Sequence, residues 1–357
     1  MLLYIAFAVA FFFAMNIGAS GTAAAMGPAY GSGALKKKTA MLLVAIAAFL
    51  GALSGGEVVR TIGSGIIPST ILTVEIVIIV LAAACLTLFI ANLLGIPLST
   101  SEVVVGSIVG AGIAFQSLYY HKLAWIVAFW VITPIIAFGI SYLFGTFVLK
   151  MEKRWPELKG EGRWKKPLTI LLITAGALEA YAAGMNNVAN AVGPLVGAGL
   201  LDISLAVILG GLFVALGAFL LGGKVLETNG KRITDLTLLQ GSSVSFTGGT
   251  LVIIASIFGL PVPLTQVTTS GIMGIGTARQ GFMLWQKGII KKILKVWVVS
   301  PLLSLVLSYG FIILFIQADY YTLLVLASLF LATLGVISLV KTIQQEKSTI
   351  HDQGGGI

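Results

Sequence analysis

The chain has 357 residues, 58% hydrophobic and 10% charged, with a formal net charge of +9 and a mean hydropathy of +1.04. Soluble domains carry about a quarter charged residues, so this composition excludes a soluble fold and marks an integral membrane protein. The positive charge does not imply a nucleic-acid partner, because the basic residues sit in short turns between apolar runs, where they set membrane orientation.

The N-terminal run Met1 to Ala14 has the apolar core of a secretory leader but no basic leading region and no evident cleavage site, so it reads as part of the first span. Apolar segments lie at 1–30, 40–54, 70–92, 97–115 and 123–149, then at 168–200, 203–221, 236–258, 261–278, 296–316 and 319–341. This divides the chain into a first transmembrane repeat (1–149), a basic cytoplasmic linker (150–167), a second repeat with an additional C-terminal helix (168–341) and a polar tail (342–357). If every segment crosses and the N-terminus is outside, all Lys and Arg except Arg60 and Lys122 fall on the inner side, the bias of a multi-pass plasma-membrane protein. Segments 97–115 and 261–278 are short and interrupted by glycine, and they read as broken or hairpin elements. The single cysteine, Cys85, lies in an apolar run and reads as a packing residue.

Two stretches stand out within the apolar runs. Gly184 to Pro194 contains Asn186, Asn187 and Asn190 among small residues, and Gly18 to Pro28 is its counterpart. A shift of 166 residues places Gly18 on Gly184, Gly27 on Gly193, Pro28 on Pro194 and Gly33 on Gly199. Gly55-Gly56 pairs with Gly222-Gly223, and Pro97 to Glu102 with Pro261 to Gln266. An odd number of crossings in the first repeat makes the two copies inverted in topology. The fold expected is therefore all-α, two inverted repeats with broken or hairpin helices at a substrate site.

Side-chain amides and hydroxyls are poor lipid contacts and belong in a protein interior or a water-filled cavity. Helix starts at the two proline motifs, with hydroxyls beside them, have the chemistry of an oxyanion site. The candidate substrate-binding residues are Ser20, Gly21, Thr22, Ser99, Thr100, Ser101, Asn186, Asn187, Asn190, Thr265 and Gln266. Intramembrane carboxylates that could carry a coupled proton are Glu102, Glu179 and Glu75, with Glu102 preferred because it adjoins a helix start. The two histidines, His121 and His351, fall in a turn and in the tail, and no aspartate pair lies in a span. Neither an enzyme, a metal centre nor a cofactor is therefore expected. A passive anion channel would line its pore with Lys or Arg, which the span centres lack.

These motifs resemble the inorganic phosphate transporter (PiT) family, whose repeated signature is Gly-Ala-Asn-Asp-Val-Ala-Asn-Ala and whose second repeated motif is Pro-x-Ser-Thr-Thr-His. The resemblance implies a secondary active transporter, commonly a homodimer in the lipid bilayer, with substrate and sodium sites built from the signature Asn and Asp and the Ser and Thr of the second motif. This chain departs from that pattern: the signature Asp positions are Gly21 and Asn187, and the His positions are Glu102 and Gln266. Phosphate near neutral pH keeps a proton and calls for an acceptor carboxylate, whereas sulfate is acceptor-only and is repelled by one. The Ala-Ser-Gly and Asn-Asn variants resemble the sulfate permease branch of the family. The expected function is sulfate import by proton symport, with sodium as the alternative coupling ion. Phosphate uptake, or transport of another tetrahedral oxyanion such as thiosulfate or molybdate, is the alternative.

Overall fold

A computed structural model describes residues 1–93, 98–231, 236–281, 285, 288–322, 324, 325 and 328. Pro97, Arg232, the polar tail and most of the segment 319–341 lie outside the described residues. The chain forms two compact units, Met1–Tyr309 and Gly310–Ile357.

The first unit is helical, with no strand among the described residues. The first half runs α1 (Leu2–Ile17), a π-helical turn (Gly18–Thr22), α2 (Gly27–Gly31), α3 (Lys37–Ala52), α4 (Gly56–Ser64), α5 (Val74–Leu93), α6 (Thr100–Ala114) and α7 (Tyr120–Arg154). The second runs α8 (Lys165–Gly197), α9 (Ile203–Leu221), α10 (Gly223–Lys231), α11 (Leu238–Ile257), α12 (Leu264–Gln280) and α13 (Gly288–Phe315). Seven helical stretches among the described residues are long and apolar enough to cross a membrane, or eight if the pair α3–α4, bent by 70°, counts as one span. The segments expected to be broken or hairpin elements form the two short helices α6 and α12, of 15 and 17 residues, neither of them among those spans.

The halves correspond element by element. α4 and α10 each have nine residues and each starts at a Gly pair, while α5 and α11 each have 20. Gly33 and Gly199, matched in the sequence, both end their helices in the left-handed region at φ +76° and +69°, where a side chain is disfavoured. Packing pairs also recur with the halves exchanged. α8 packs on α3 as α1 packs on α9, α11 on α8 as α5 on α1, and α12 on α7 as α13 on α6.

The motif glycines explain two of these crossings. A β-carbon on Gly184 would lie 1.9 Å from the Ala48 carbonyl oxygen of α3, and one on Gly18 would lie 1.9 Å from the Val214 oxygen of α9. The partner helices answer with Gly51 against Tyr181 and Gly217 against Met15, each also at 1.9 Å. Lipid-embedded helices associate through such close packing, because lipid tails give them no hydrophobic reason to meet.

The two motif copies differ in backbone. In the first, Ser20 is non-helical (φ −98°, ψ −110°), and the helix restarts at Gly27-Pro28. In the second, α8 runs unbroken through Asn186, Asn187 and Pro194. The residue matching Ser20 is Asn186, which keeps helical geometry within α8.

Gly184→Ala and Gly18→Ala are each expected to cost about 1–3 kcal/mol by overpacking and to lower the thermal unfolding midpoint in detergent. Gly139→Ala on α7, which meets nothing within 4 Å, should be neutral or stabilising by up to about 1 kcal/mol. Equal midpoints for all three would show that the glycine crossings are not tight.

Candidate functional site

All eleven candidate substrate-binding residues converge. Among them Ser20, Thr22, Ser99, Thr100, Ser101, Asn186, Asn187, Asn190, Thr265 and Gln266 are each at most 4% exposed, and Gly21 is buried with them. They come from the π-helical turn, the start of α6, the middle of α8 and the start of α12, so no single segment forms the site.

α8 supplies the hub. Asn187 accepts a hydrogen bond from the Thr100 hydroxyl at 3.0 Å and donates to the Thr22 hydroxyl at 3.3 Å. Asn190 Nδ2 donates to Thr100 Oγ1 at 3.1 Å and to Ser101 Oγ at 3.2 Å. Asn186 Nδ2 reaches Ser256 Oγ at 2.9 Å and the Leu260 carbonyl at 3.0 Å, and its Oδ1 lies 3.3 Å from the Ser101 hydroxyl. The three amides lie within two turns of one helix, so one rigid element presents them to both halves.

The starts of α6 and α12 meet each other across this hub. Thr265 Oγ1 donates to the Leu98 carbonyl at 3.0 Å, and Ser101 Oγ lies 3.2 Å from the Val262 carbonyl. These are the same contact with the halves exchanged, since Ser101 matches Thr265 and Leu98 matches Val262. Ser20 Oγ donates to the same Leu98 oxygen at 3.5 Å. The next matched pair, Glu102 and Gln266, also face each other, with Gln266 Nε2 donating to Glu102 Oε1. The cluster therefore lies where the two halves meet.

The donors are turned on one another. Ser99 caps the Glu102 N–H at 3.4 Å, while the Val262 and Pro263 carbonyls take the N–H groups of Leu264, Gln266 and Val267. The N–H groups at these four positions are therefore taken within the protein, by the Ser99 cap at the start of α6 and by the turn that leads into α12. An anion placed here would exchange neutral internal bonds, each with a net worth of about 0.5–1.5 kcal/mol, for charge-assisted ones, which are roughly twice as strong. The carbonyls of Leu98, Leu260 and Val262, with the Ser and Thr hydroxyls, are the oxygens that a cation would use.

The three carboxylates separate. Glu102 is 4% exposed and belongs to the cluster, and its Oε2 is buried without a partner among the described residues. Glu179 is fully buried between α8, α11 and α12, close under Gly248 and Gly249. Thr268 donates to its Oε1, and its Oε2 is also buried and unpartnered among the described residues. Glu75 is a correction: it is exposed in the first turn of the span α5 rather than buried within it, and among the described residues no hydrogen bond ties it to the cluster. A helix start stabilises a carboxylate there without any further role.

Sequence reading missed Ser256, Thr268 and the three loop carbonyls. Ser256 lies just before the Phe258-Gly259-Leu260-Pro261 step, a position that could have been singled out. Backbone carbonyls leave no trace in a sequence. Asn186→Leu removes the donor to Ser256 and Leu260 and strands buried oxygens, so we expect a loss of about 1–3 kcal/mol. A lowered thermal midpoint would register it, whereas an unchanged one would show that the amide is dispensable to the fold.

Residues 17–308 match the phosphate transporter family. The chain is 55% identical over 348 residues to "Sulfate permease CysP" of Bacillus subtilis (strain 168), covering 97% of each chain. It is 31% identical to a putative phosphate permease of Helicobacter pylori (strain ATCC 700392 / 26695), covering 78% of this chain and 69% of the relative. A solved structure named "The sodium-dependent phosphate transporter" superposes with a TM-score of 0.73 at 26% identity, covering 86% of this chain and 98% of that one. With these likenesses, the multi-pass helical architecture and the duplicated motifs, the chain belongs to the phosphate transporter family and is a membrane permease.

Proposed function

We propose that this permease imports sulfate across the cell membrane by proton symport with alternating access between its two halves. One observation carries the reading: the two positions where the family signature has Asp come together at the centre of the cluster. A β-carbon on Gly21 would lie 3.7 Å from Asn187 Nδ2 and 3.0 Å from Thr265 Oγ1. Carboxylates at both positions would form a paired acceptor, suited to a protonated oxyanion such as hydrogen phosphate. Here one side chain is absent and the other is a neutral amide that donates, which suits a fully deprotonated, acceptor-only dianion. The 55% identity to a relative named as a sulfate permease supports the same reading.

Glu102 is the residue to which we assign the coupled proton. It adjoins the hydroxyl cluster, its second oxygen has no partner among the described residues, and protonation removes a negative charge beside the arriving anion. Glu179, two turns before Asn186 on α8, is the alternative carrier. The scheme places the N-terminus outside and the basic linker in the cytoplasm.

Labelled sulfate uptake in proteoliposomes tests both assignments. Asn187→Asp puts a carboxylate against a dianion and is expected to cut sulfate uptake at least tenfold, about 1.4 kcal/mol or more. Unchanged uptake would overturn the missing-carboxylate argument. Glu102→Gln is expected to abolish accumulation driven by an inward proton gradient while sulfate exchange persists. Accumulation surviving in that variant would exclude Glu102 as the carrier, and uptake driven only by sodium would exclude proton symport.

A further inference from the structure

Arg60 and Lys122 are the two basic residues that the orientation scheme leaves on the outer side, and they lie 62 positions apart in the sequence. The structure brings both to one cavity of about 310 Å³, formed by α4, the start of α7 and the loop Phe258–Leu260. Thr61 and Ser64 of α4 add hydroxyls to its wall. Its volume is that of roughly ten water molecules, room for a tetrahedral oxyanion that keeps part of its hydration shell.

The charge is unbalanced in one direction. Arg60 pairs with Glu57 at 2.9 Å, and both side chains are more than half exposed. Lys122 has its ammonium 5.9 Å from the centre of the Tyr119 ring. Glu57, Arg60 and Lys122 are the charged groups lining the cavity, so it holds a net positive charge.

The cavity floor reaches the amide cluster. Leu260 lines the cavity, and its carbonyl accepts the 3.0 Å hydrogen bond from Asn186. Gly259, in the left-handed region at φ +68°, lies so close to α4 that a β-carbon would be 3.0 Å from Thr61 Oγ1 and 3.1 Å from the Glu57 carbonyl oxygen. The connection between α11 and α12 thus contributes Leu260 both to the cavity wall and, through its carbonyl, to the amide cluster.

We infer that this cavity is an outer recruitment site, where an oxyanion dianion binds Arg60 and Lys122 before it passes to the amide cluster. The inference rests on the sulfate-transport reading for the identity of the anion. A mouth of one sign concentrates the opposite ion from solution, an effect that salt screens over about 8–10 Å. The site acts on encounter, so its charges set the apparent KM and leave kcat unchanged.

Two measurements test it. In proteoliposome uptake at low ionic strength, Arg60→Gln and Lys122→Gln are expected to raise the sulfate KM two- to fivefold. Glu57→Gln, which releases Arg60, should lower it, and all three differences should shrink at high salt with kcat unchanged. A purely structural role for these side chains would not give opposite signs that salt erases. The second measurement needs no transport. Ser64→Cys places a thiol on the exposed cavity wall, while the native Cys85 is buried and unmodified protein is the control. That thiol should react faster with an anionic sulfonate methanethiosulfonate than with its cationic ammonium counterpart. Sulfate should slow the reaction more than chloride at matched ionic strength. A faster cationic reagent, or no protection by sulfate, would overturn the recruitment site even if uptake proceeds. Protection by sulfate without any sulfate uptake would leave the site standing and sink the transport reading.

Discussion

The fold is constrained above all by the need of buried amides and hydroxyls for partners inside an apolar body. Asn186, Asn187 and Asn190 present donors and acceptors that hydrocarbon cannot satisfy, and leaving one unmet costs on the order of 1–3 kcal/mol. Their partners come from the π-helical turn, the start of α6, the end of α11 and the loop before α12. Each of these pieces is short or irregular, and irregular backbone at membrane depth is tolerated only where it is buried in protein. α8 is the long, continuous element that makes the broken ones possible, because it carries the amides that complete them.

The glycine crossings and the polar hub act on different parts of the same problem. Gly184 and Gly51 bring α8 against α3, and Gly18 and Gly217 bring α1 against α9, at distances that no side chain allows. These contacts place the two motif copies in the interior, where Gly21 and Asn187 meet. The α6 and α12 starts then interlock through Ser101, Thr265, Glu102 and Gln266. A site built at the join of two similar halves is composed of matched contacts, and a change in one half alters its counterpart's partner.

Selectivity in such a site depends on the balance of donors and acceptors more than on net charge. A glycine and an amide where the family signature has two Asp leave no carboxylate at that pair of positions, and the amide both accepts from Thr100 and donates to Thr22. Two buried carboxyls, Glu102 and Glu179, lie to the side of that centre, each with one hydrogen-bonded oxygen and one without a partner among the described residues. Such positions are costly to maintain at membrane depth.

Composition, apolar segment lengths and the duplicated motifs determined a great deal without coordinates. They specified a helical membrane protein in two related parts, and they named the three amides and most of the hydroxyls that meet them, though not Ser256, because polar side chains inside apolar runs stand out against their surroundings. Tertiary structure alone decided three things. It showed that the first motif copy breaks at Ser20 while α8 runs through the matching Asn186, a difference that depends on which backbone groups find partners in space. It moved Glu75 to an exposed helix start and brought Glu102 onto Gln266, since two carboxylates in apolar segments look alike until the neighbouring helices are placed. It brought Arg60 and Lys122, far apart in the chain, to one cavity beside Leu260. Segment hydropathy encodes depth in a membrane, but which segments face one another is set by long-range packing, and that information lies in pairs of residues rather than in any single stretch.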